Sequence, residues 1–225
     1  PGKTWTIKLR PEKNLPFRFQ PGQFAWLTAW DSPFVDHEHP FSFSSSAENN
    51  STISFTIKEL GDFTSRIKDL TKDKRVYVDG PFGAFSIDRH PQANSYAFIA
   101  GGIGITPIIS MIRTLADRAD PRPLTLIYAN KNLESTVFLE ELETLSQKLK
   151  LKVIHVLESP PKGWTGETGF VNSQILEKYL PVEREPNKVE IFICGPVPMM
   201  NAVENALLQI GISVGDFHSE RFDLV

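Results

Sequence analysis

The sequence predicts two domains, an N-terminal antiparallel β-barrel over residues 1–90 and a C-terminal α/β domain with a parallel sheet over residues 91–225. Two observations predict this architecture. In the first ninety residues, short β-like runs alternate with proline and glycine turns, which is typical of a small barrel. After Pro91, compact apolar runs alternate with helical patterns, which is typical of a parallel sheet covered on both faces. We expect the boundary to fall between Asp88 and Asn94.

The N-terminal half contains five predicted strands, at residues 5–9, 24–27, 41–45, 53–57 and 76–78. The first alternates apolar and polar side chains, as a half-buried strand does. Pro21 and Gly22 predict a turn before the second strand. A helical interval at residues 64–70 interrupts the strands, with Ile67 and Leu70 on one face.

The C-terminal half contains four predicted strands, at residues 96–100, 124–128, 152–157 and 189–194, each followed by a helical pattern. The first helix has isoleucines at helical spacing, and the others are predicted at residues 137–149, 173–180 and 198–210. Thr106 is expected to cap the first helix, with Pro107 at its first position. The tail from His218 onward has the composition of a polar terminus that frays.

Composition excludes several classes of function. The net charge of −3 argues against a nucleic-acid surface, and no apolar run is long enough to span a bilayer. Cys194 is the single cysteine, which excludes an intrachain disulfide and fits a reducing compartment. We therefore expect no iron–sulfur cluster. We also predict no metal site. Because the sequence begins at Pro1, without an initiator methionine and without a signal-like apolar stretch, we expect it to be a fragment.

A glycine-rich segment, residues 101–107, follows a predicted strand and opens a predicted helix. Gly102 and Gly104 stand in the context that a dinucleotide fingerprint requires, where glycines let the backbone approach a pyrophosphate at a helix N-terminus. The alternative is a plain glycine turn before a capped helix. Cys194, Gly195 and Pro196 end a later strand, at the edge where parallel sheets place ligands, although a lone cysteine is as often inert core.

Two further segments of the N-terminal half are candidates for ligand binding. In residues 39–42, His-Pro-Phe-Ser, an aromatic ring is available for stacking and a hydroxyl for hydrogen bonding. The residues alone favour the alternative, a strand with core phenylalanines and a solvent-facing serine. Residues 61–66 open a short helix whose free amides, hydroxyls and arginine suit an anion, the alternative being a capped surface helix.

Together these segments resemble the ferredoxin–NADP reductase superfamily, in particular the dehydrogenase domain of ferric reductases and NADPH oxidases. That branch has His-Pro-Phe-Thr/Ser where other members have an arginine motif, and this chain has His-Pro-Phe-Ser at residues 39–42. Four other family motifs follow in order, at residues 80–83, 101–107, 164–169 and 194–196. The resemblance covers essentially the whole chain. Since family barrels usually have one more strand before residue 4, we expect the natural protein to extend upstream.

The resemblance implies two cofactors, FAD and NADPH, with NADH possible. The residues expected to bind FAD are His39, Pro40, Phe41, Ser42, Gly61, Thr64, Ser65, Arg66 and Phe222. Those expected to bind NAD(P)H are Gly101, Gly102, Gly104, Ile105, Thr106, Asn130, Lys131, Cys194, Gly195 and Pro196. The resemblance further implies that Ser42, Cys194 and Glu220 surround nicotinamide C4 and flavin N5. Phe222 is expected to cover one flavin face and yield to the nicotinamide, although the chain continues for three residues beyond it.

The activity implied is hydride transfer from NAD(P)H to FAD, followed by single-electron transfer to an acceptor outside this chain. In the resembling enzymes the acceptor is an upstream membrane haem domain, so we expect a cytoplasmic domain of a membrane protein. Lys131 suits a 2′-phosphate and no acid ends the strand before it, which favours NADPH. Two alternatives remain: a soluble reductase subunit serving a ferredoxin-like partner, and a non-catalytic dinucleotide-sensing module.

Overall fold

The N-terminal part of the computed structural model is built from five antiparallel strands. The structure describes residues 3–12, 16–29, 38–49, 51–72, 74–180 and 188–222. The strands are β1 (Thr4–Leu9), β2 (Phe24–Ala29), β3 (His39–Ser42), β4 (Ile53–Lys58) and β5 (Val76–Phe82). Each overlaps a predicted strand, although β3 begins two residues earlier and ends three residues earlier than the predicted run at 41–45, and β5 continues through the Gly80-Pro81-Phe82 motif.

These strands form two small sheets rather than the closed barrel that we predicted. β1 pairs with β4, and β2 lies between β3 and β5. A single bridge between Phe43 and Phe55 joins the two sheets. Within the described ranges no other pairing closes the ring, so the antiparallel prediction is confirmed and the closed barrel is not.

Aromatic side chains fill the space between these two sheets. Phe43 and Phe55 are fully buried, with ring centroids 4.8 Å apart, and Phe19 stacks on Phe43 at 4.2 Å. The predicted helix at residues 64–70 is two pieces, α1 (Asp62–Ser65) and a 3₁₀ turn over Ile67–Asp69. Ile67 is buried in the aromatic core, which explains the apolar spacing that the sequence shows there.

The C-terminal part is a six-stranded sheet in which every pairing is parallel. Its strands, in spatial order, are β11 (Phe217–Glu220), β10 (Val189–Cys194), β6 (Ser95–Gly101), β7 (Leu124–Asn130), β8 (Leu151–Leu157) and β9 (Glu167–Thr168). The predicted parallel sheet is confirmed. β9 and β11 were not predicted. The first three residues of the tail that we expected to fray, 218–220, instead belong to an edge strand, because their backbone pairs with β10.

Two hydrophobic clusters cover the two faces of this sheet, as predicted. On β6, Phe98 and Ala100 belong to one cluster, and Ala97 and Ile99 belong to the other. The helices are α2 (Ile105–Asp117), α3 (Leu139–Lys148), α4 (Ser173–Tyr179) and α5 (Val197–Gln209). Residues of α2 and α3 contribute to the first cluster, and residues of α4 and α5 to the second. Among the helices of the described ranges, none combines the length and the apolar character that a membrane span requires.

Helix α2 also joins the two parts of the molecule. Three hydrogen bonds connect it to the segment after β3: the Ser110 hydroxyl donates to the Ser45 carbonyl (2.7 Å), the Ala47 amide donates to Thr114 Oγ1 (2.9 Å), and Arg113 donates to the Ser44 carbonyl. Arg113 is itself held by both carboxylate oxygens of Glu141 in α3, at 2.7 Å each. The helix that starts at the glycine segment therefore also positions the strand that follows Ser42.

Candidate cofactor-binding site

The glycine segment forms a tight turn between β6 and α2. Gly102–Gly104 make one 3₁₀ turn, and α2 then starts at Ile105 with Gly104 as its N-cap. Thr106 is therefore not the N-cap that we predicted: it lies inside the helix and its hydroxyl donates to the Ile103 carbonyl at 3.0 Å. Pro107 is the third helical residue rather than the first, a position whose amide also lacks an intrahelical partner.

The glycines of this turn allow direct backbone contact with the end of β10. A Cβ on Gly104 would lie 2.5 Å from the carbonyl carbon of Cys194 and 2.7 Å from Gly195 Cα. A Cβ on Gly101 would meet the Met199 sulfur at 2.5 Å. Gly102 has φ +51°, a conformation that side-chain-bearing residues rarely adopt. The structure thus brings together the two elements that the sequence predicts to bind the nucleotide.

A buried amide lies at the end of the neighbouring strand. β6 and β7 are parallel, so Asn130 at the end of β7 lies at the same sheet edge as Gly101. The Asn130 side chain is buried, and its Nδ2 finds no hydrogen-bond partner among the described residues. Because buried polar groups are normally hydrogen-bonded, an unpartnered amide here fits a site that is completed by a bound polar group.

Lys131 is exposed just beyond Asn130, as the predicted coenzyme contact requires. An acid that was not predicted from the sequence, Glu158, lies near the same strand end. The amide of Glu158, after β8, donates to the Asn130 carbonyl at 3.1 Å, and the amide of Ser159 donates to the Lys131 carbonyl at 2.8 Å. From the sequence, an acid that could contact the coenzyme ribose was expected only at the end of β7. Glu158 follows β8 instead, and the parallel pairing of β7 with β8 brings it to the same edge of the sheet.

Residues 39–42 form strand β3, and the sequence alternative of a solvent-facing serine is wrong. Ser42 is buried, and its hydroxyl has no partner in the portions of the chain that the structure describes. Phe41 is half-buried and stacks on Phe63 of α1 with centroids 6.0 Å apart, while His39 lies 4.1 Å from the same ring. A buried hydroxyl without a partner beside half-buried rings fits a flat ligand with hydrogen-bonding atoms.

The start of α1 is locally capped. The Thr64 hydroxyl accepts from the amides of Leu60 (2.8 Å) and Gly61 (2.9 Å), and the Ser65 hydroxyl donates to the Asp62 carbonyl at 2.9 Å. Both hydroxyls are therefore already engaged, as the capped-helix alternative expects. Phe63 nevertheless places this helix against His39 and Phe41 of β3, so the two predicted flavin-binding segments are adjacent. Phosphate binding by Gly61, Thr64, Ser65 and Arg66 stays a prediction.

Cys194 and Glu220 are neighbours at the ends of two parallel strands. They are register partners in β10 and β11, and Cys194 is fully buried. Burial raises the pKa of the Cys194 thiol well above its usual value, and the nearby Glu220 raises it further. Burial also raises the pKa of Glu220. Phe222 packs against the cluster that contains Cys194, whereas the extension at residues 223–225 lies outside the described residues.

Comparison with known families agrees with this geometry. Residues 3–86 match the family model described as an FAD-binding domain, and residues 98–205 match the model described as an oxidoreductase NAD-binding domain. The chain is 33% identical over 169 residues to NADH-cytochrome b5 reductase 2 of Scheffersomyces stipitis, covering 73% of this chain and 56% of the relative. The chain spans about half to three-fifths of the length of the curated relatives it matches.

Solved structures with the same fold include the CS-b5R domains of human Ncb5or in the NAD⁺ form, with a TM-score of 0.84 and 27% identity over 96% of this chain and 65% of that one. A ferredoxin NADP⁺ reductase from Neisseria gonorrhoeae with bound FAD and NADP has a TM-score of 0.80 at 20% identity, over 98% and 93% of the two chains. With an FAD-binding domain followed by an oxidoreductase NAD-binding domain, and with a reductase relative that is 33% identical over 73% of this chain, the chain belongs to the ferredoxin–NADP reductase superfamily.

Proposed function

We propose that this chain takes a hydride from NAD(P)H onto FAD and passes electrons singly to an acceptor in another domain or another protein. The observation that carries the proposal is the contact between Gly104 and the end of β10, since it brings together the two motifs that we predict to bind the nucleotide. Helix α2, which starts at that contact, is hydrogen-bonded to residues 44–47 directly after β3. When bound, FAD supplies the redox chemistry, and the protein supplies position and electrostatics.

The residues at this edge have distinct roles in the proposal. The Cys194 thiol stays protonated because burial raises its pKa, so it offers a neutral surface and no thiolate that would compete as a nucleophile. Ser42 offers its buried hydroxyl for one hydrogen bond to the flavin ring. Phe222 covers this region until the nicotinamide arrives. No strong general base is required, because a hydride carries its proton together with both electrons.

For the acceptor we retain the membrane haem domain, on the basis of the His-Pro-Phe-Ser strand at residues 39–42. A second candidate is a separate haem protein such as cytochrome b5, which the similarity to NADH-cytochrome b5 reductase 2 of Scheffersomyces stipitis favours. The two differ in where the haem is encoded. Sequencing the reading frame upstream of Pro1 distinguishes them, since hydrophobic helices with paired histidines are expected only for the first.

The reductase activity is tested with the purified chain loaded with FAD. We expect a yellow protein whose flavin is bleached by NADH or NADPH in a stopped-flow mixer and is reoxidised by ferricyanide or by cytochrome b5. A colourless protein that stays colourless when FAD is added would instead support the dinucleotide-sensing alternative. A protein that binds FAD but is not bleached by either coenzyme would refute hydride transfer.

Coenzyme preference depends on two opposite charges beside the β7 tip. Lys131 favours NADPH, our expectation from the sequence, whereas Glu158 disfavours a 2′-phosphate. We expect Lys131→Ala to lower the ratio of flavin reduction rates with NADPH and NADH by about tenfold, and Glu158→Gln to raise it, since a charge-assisted hydrogen bond contributes about 1.5–3 kcal/mol. If the ratio is unchanged in both variants, Lys131 and Glu158 do not contact the 2′-phosphate or 2′-hydroxyl of the coenzyme ribose.

A further inference from the structure

Two histidines and a buried glutamate converge at the end of β10 that lies away from the nucleotide site. His90 ends a 3₁₀ turn (Ile87–Arg89) in the segment between the two domains, Glu190 is near the start of β10, and His218 is in β11. His218 Nε2 lies 2.7 Å and His90 Nδ1 lies 3.4 Å from Glu190 Oε2. One ligand atom from each residue lies within 4.8 Å of the other two.

This donor set suits a divalent transition-metal ion. Imidazole nitrogens and a carboxylate oxygen are ligands that zinc takes in three-ligand sites with an open fourth position. With ligands about 2.0–2.2 Å from the ion, neighbouring ligand atoms in a tetrahedral site lie about 3.3–3.5 Å apart. The distance of 3.4 Å from His90 to Glu190 has this value already. The distance of 2.7 Å from His218 to Glu190 has to open by roughly 0.6 Å, which a side-chain rotation accommodates.

The surroundings hold the carboxylate in place. The Glu190 side chain is only 2% exposed, and its other oxygen, Oε1, accepts from Lys188 at 2.7 Å. A second partner of this kind orients a ligating carboxylate and leaves Oε2 for the two histidines. Both histidine side chains are about one quarter exposed, at 23% and 24%, which gives an ion access from solvent. Burial lowers the pKa of His90, which favours the neutral ring that ligates metals.

We propose that His90, Glu190 and His218 form a binding site for a zinc-type divalent ion, with water in the fourth position. The site ties the interdomain segment to β10 and β11. It lies at the opposite end of β10 from Cys194, so its role is structural and separate from the reductase chemistry. The alternative is a cluster that binds no metal and is held only by the contacts of Glu190 with His90 and His218 described above. Metal titration distinguishes this alternative from a metal site.

The test uses the FAD-loaded chain after removal of metals with a chelator. We expect calorimetric titration with Zn²⁺ to give one ion per chain and Co²⁺ to give the visible absorption of a four-coordinate site. The unfolding temperature should rise with Zn²⁺ concentration. His218→Ala should weaken Zn²⁺ binding by about a hundredfold or more. The matched control is His155→Ala, a partly buried histidine on β8 outside the cluster, which should bind Zn²⁺ as the wild type does.

The proposal fails if wild type and His218→Ala bind Zn²⁺ equally, or if Co²⁺ gives only the spectrum of the hydrated ion. Should His218→Ala not fold, His90→Ala replaces it, and the Co²⁺ spectrum of the wild type decides independently of any variant. Flavin reduction by NAD(P)H is measured in the metal-free protein. If the flavin is reduced but the titration shows no Zn²⁺ binding, the metal site is refuted and the reductase proposal stands. If Zn²⁺ binds but the flavin is not reduced, the reductase proposal is refuted and the metal site stands.

Discussion

Replacing Gly104 by alanine tests the contact on which the proposed nucleotide site depends. The backbone of Gly104 has φ −60° and ψ −5°, a helical conformation that alanine adopts without strain. Any effect must therefore come from the added methyl group. That group would lie 2.5 Å from the Cys194 carbonyl carbon, where ordinary contact begins at 3.4 Å, and the atoms it meets are backbone rather than a flexible side chain.

The expected magnitude follows from this overlap. Relieving it requires the start of α2 and the end of β10 to separate by about 1 Å, and overpacking of this kind costs about 1–3 kcal/mol of folding free energy. A displacement of about 1 Å in a site that positions a reacting coenzyme costs about a hundredfold in rate. We therefore expect Gly104→Ala to unfold more easily, by about 1–3 kcal/mol, and to reduce its flavin about a hundredfold more slowly even under conditions where the variant is fully folded.

Two measurements and one control complete this test. Urea unfolding gives the stability, and stopped-flow bleaching of the flavin by NADH and NADPH gives the rate. The control is Gly215→Ala, at an exposed glycine in the 3₁₀ turn before β11, where no described atom lies within 4 Å of the new Cβ. A Gly104→Ala protein with wild-type stability and wild-type rate would refute the contact.

Three further predictions concern Ser42, Phe222 and Asp120. Ser42→Ala should leave stability within about 0.5 kcal/mol, since its buried hydroxyl lacks a partner among the described residues, but should slow flavin reduction by up to about tenfold in the stopped-flow assay. Phe222→Ala should tighten binding of oxidised coenzyme by about tenfold in a spectral titration, because an aromatic contact no longer has to be displaced. Asp120→Asn should lower stability at pH 7 by about 1 kcal/mol, because hydrogen bonds from Arg122 lower the pKa of Asp120. That stabilisation is present above about pH 4 and is lost as pH falls through the lowered pKa, so urea unfolding should show the difference shrinking towards pH 2.

Each of these predictions has an outcome that contradicts it. A Ser42→Ala protein that loses much stability would show that the hydroxyl has a protein partner after all. Unchanged coenzyme affinity in Phe222→Ala would show that the aromatic does not cover the nicotinamide position. If the Asp120→Asn difference stays constant from pH 7 to pH 2, the carboxylate is not the group whose charge stabilises the fold.

The sequence predicted elements whose pattern is local. Strand β10 was predicted with its observed bounds, because an apolar run ends at a Cys-Gly-Pro turn. The glycine segment was predicted because glycines between a strand and a helix leave few other conformations. Strand β11 was missed because Phe217–Glu220 has no apolar run, and its extended shape comes from pairing with β10. The cap at Thr106 was wrong because Thr-Pro suits the first turn of a helix as well as its cap.

Only those parts of the candidate site that are contiguous sequence motifs were predicted from the sequence. Glu158 and Lys131 are 27 positions apart in the chain, and only the parallel register of β7 and β8 makes them neighbours. His90 and His218 are brought together in the same way, by the interdomain segment and the last strand, so composition and spacing gave no reason to expect a metal site. Long-range pairing of this kind leaves no periodic trace in a sequence.

The docking of α2 on residues 44–47 has a consequence for turnover. Swinging the two halves apart would break these three hydrogen bonds at once, at a net cost of about 0.5–1.5 kcal/mol for each bond. The halves are therefore preorganised, so an arriving coenzyme spends little binding energy on aligning them. In the proposed mechanism only the Phe222 side chain would then have to move between coenzyme binding and release, while α2 keeps the two halves docked.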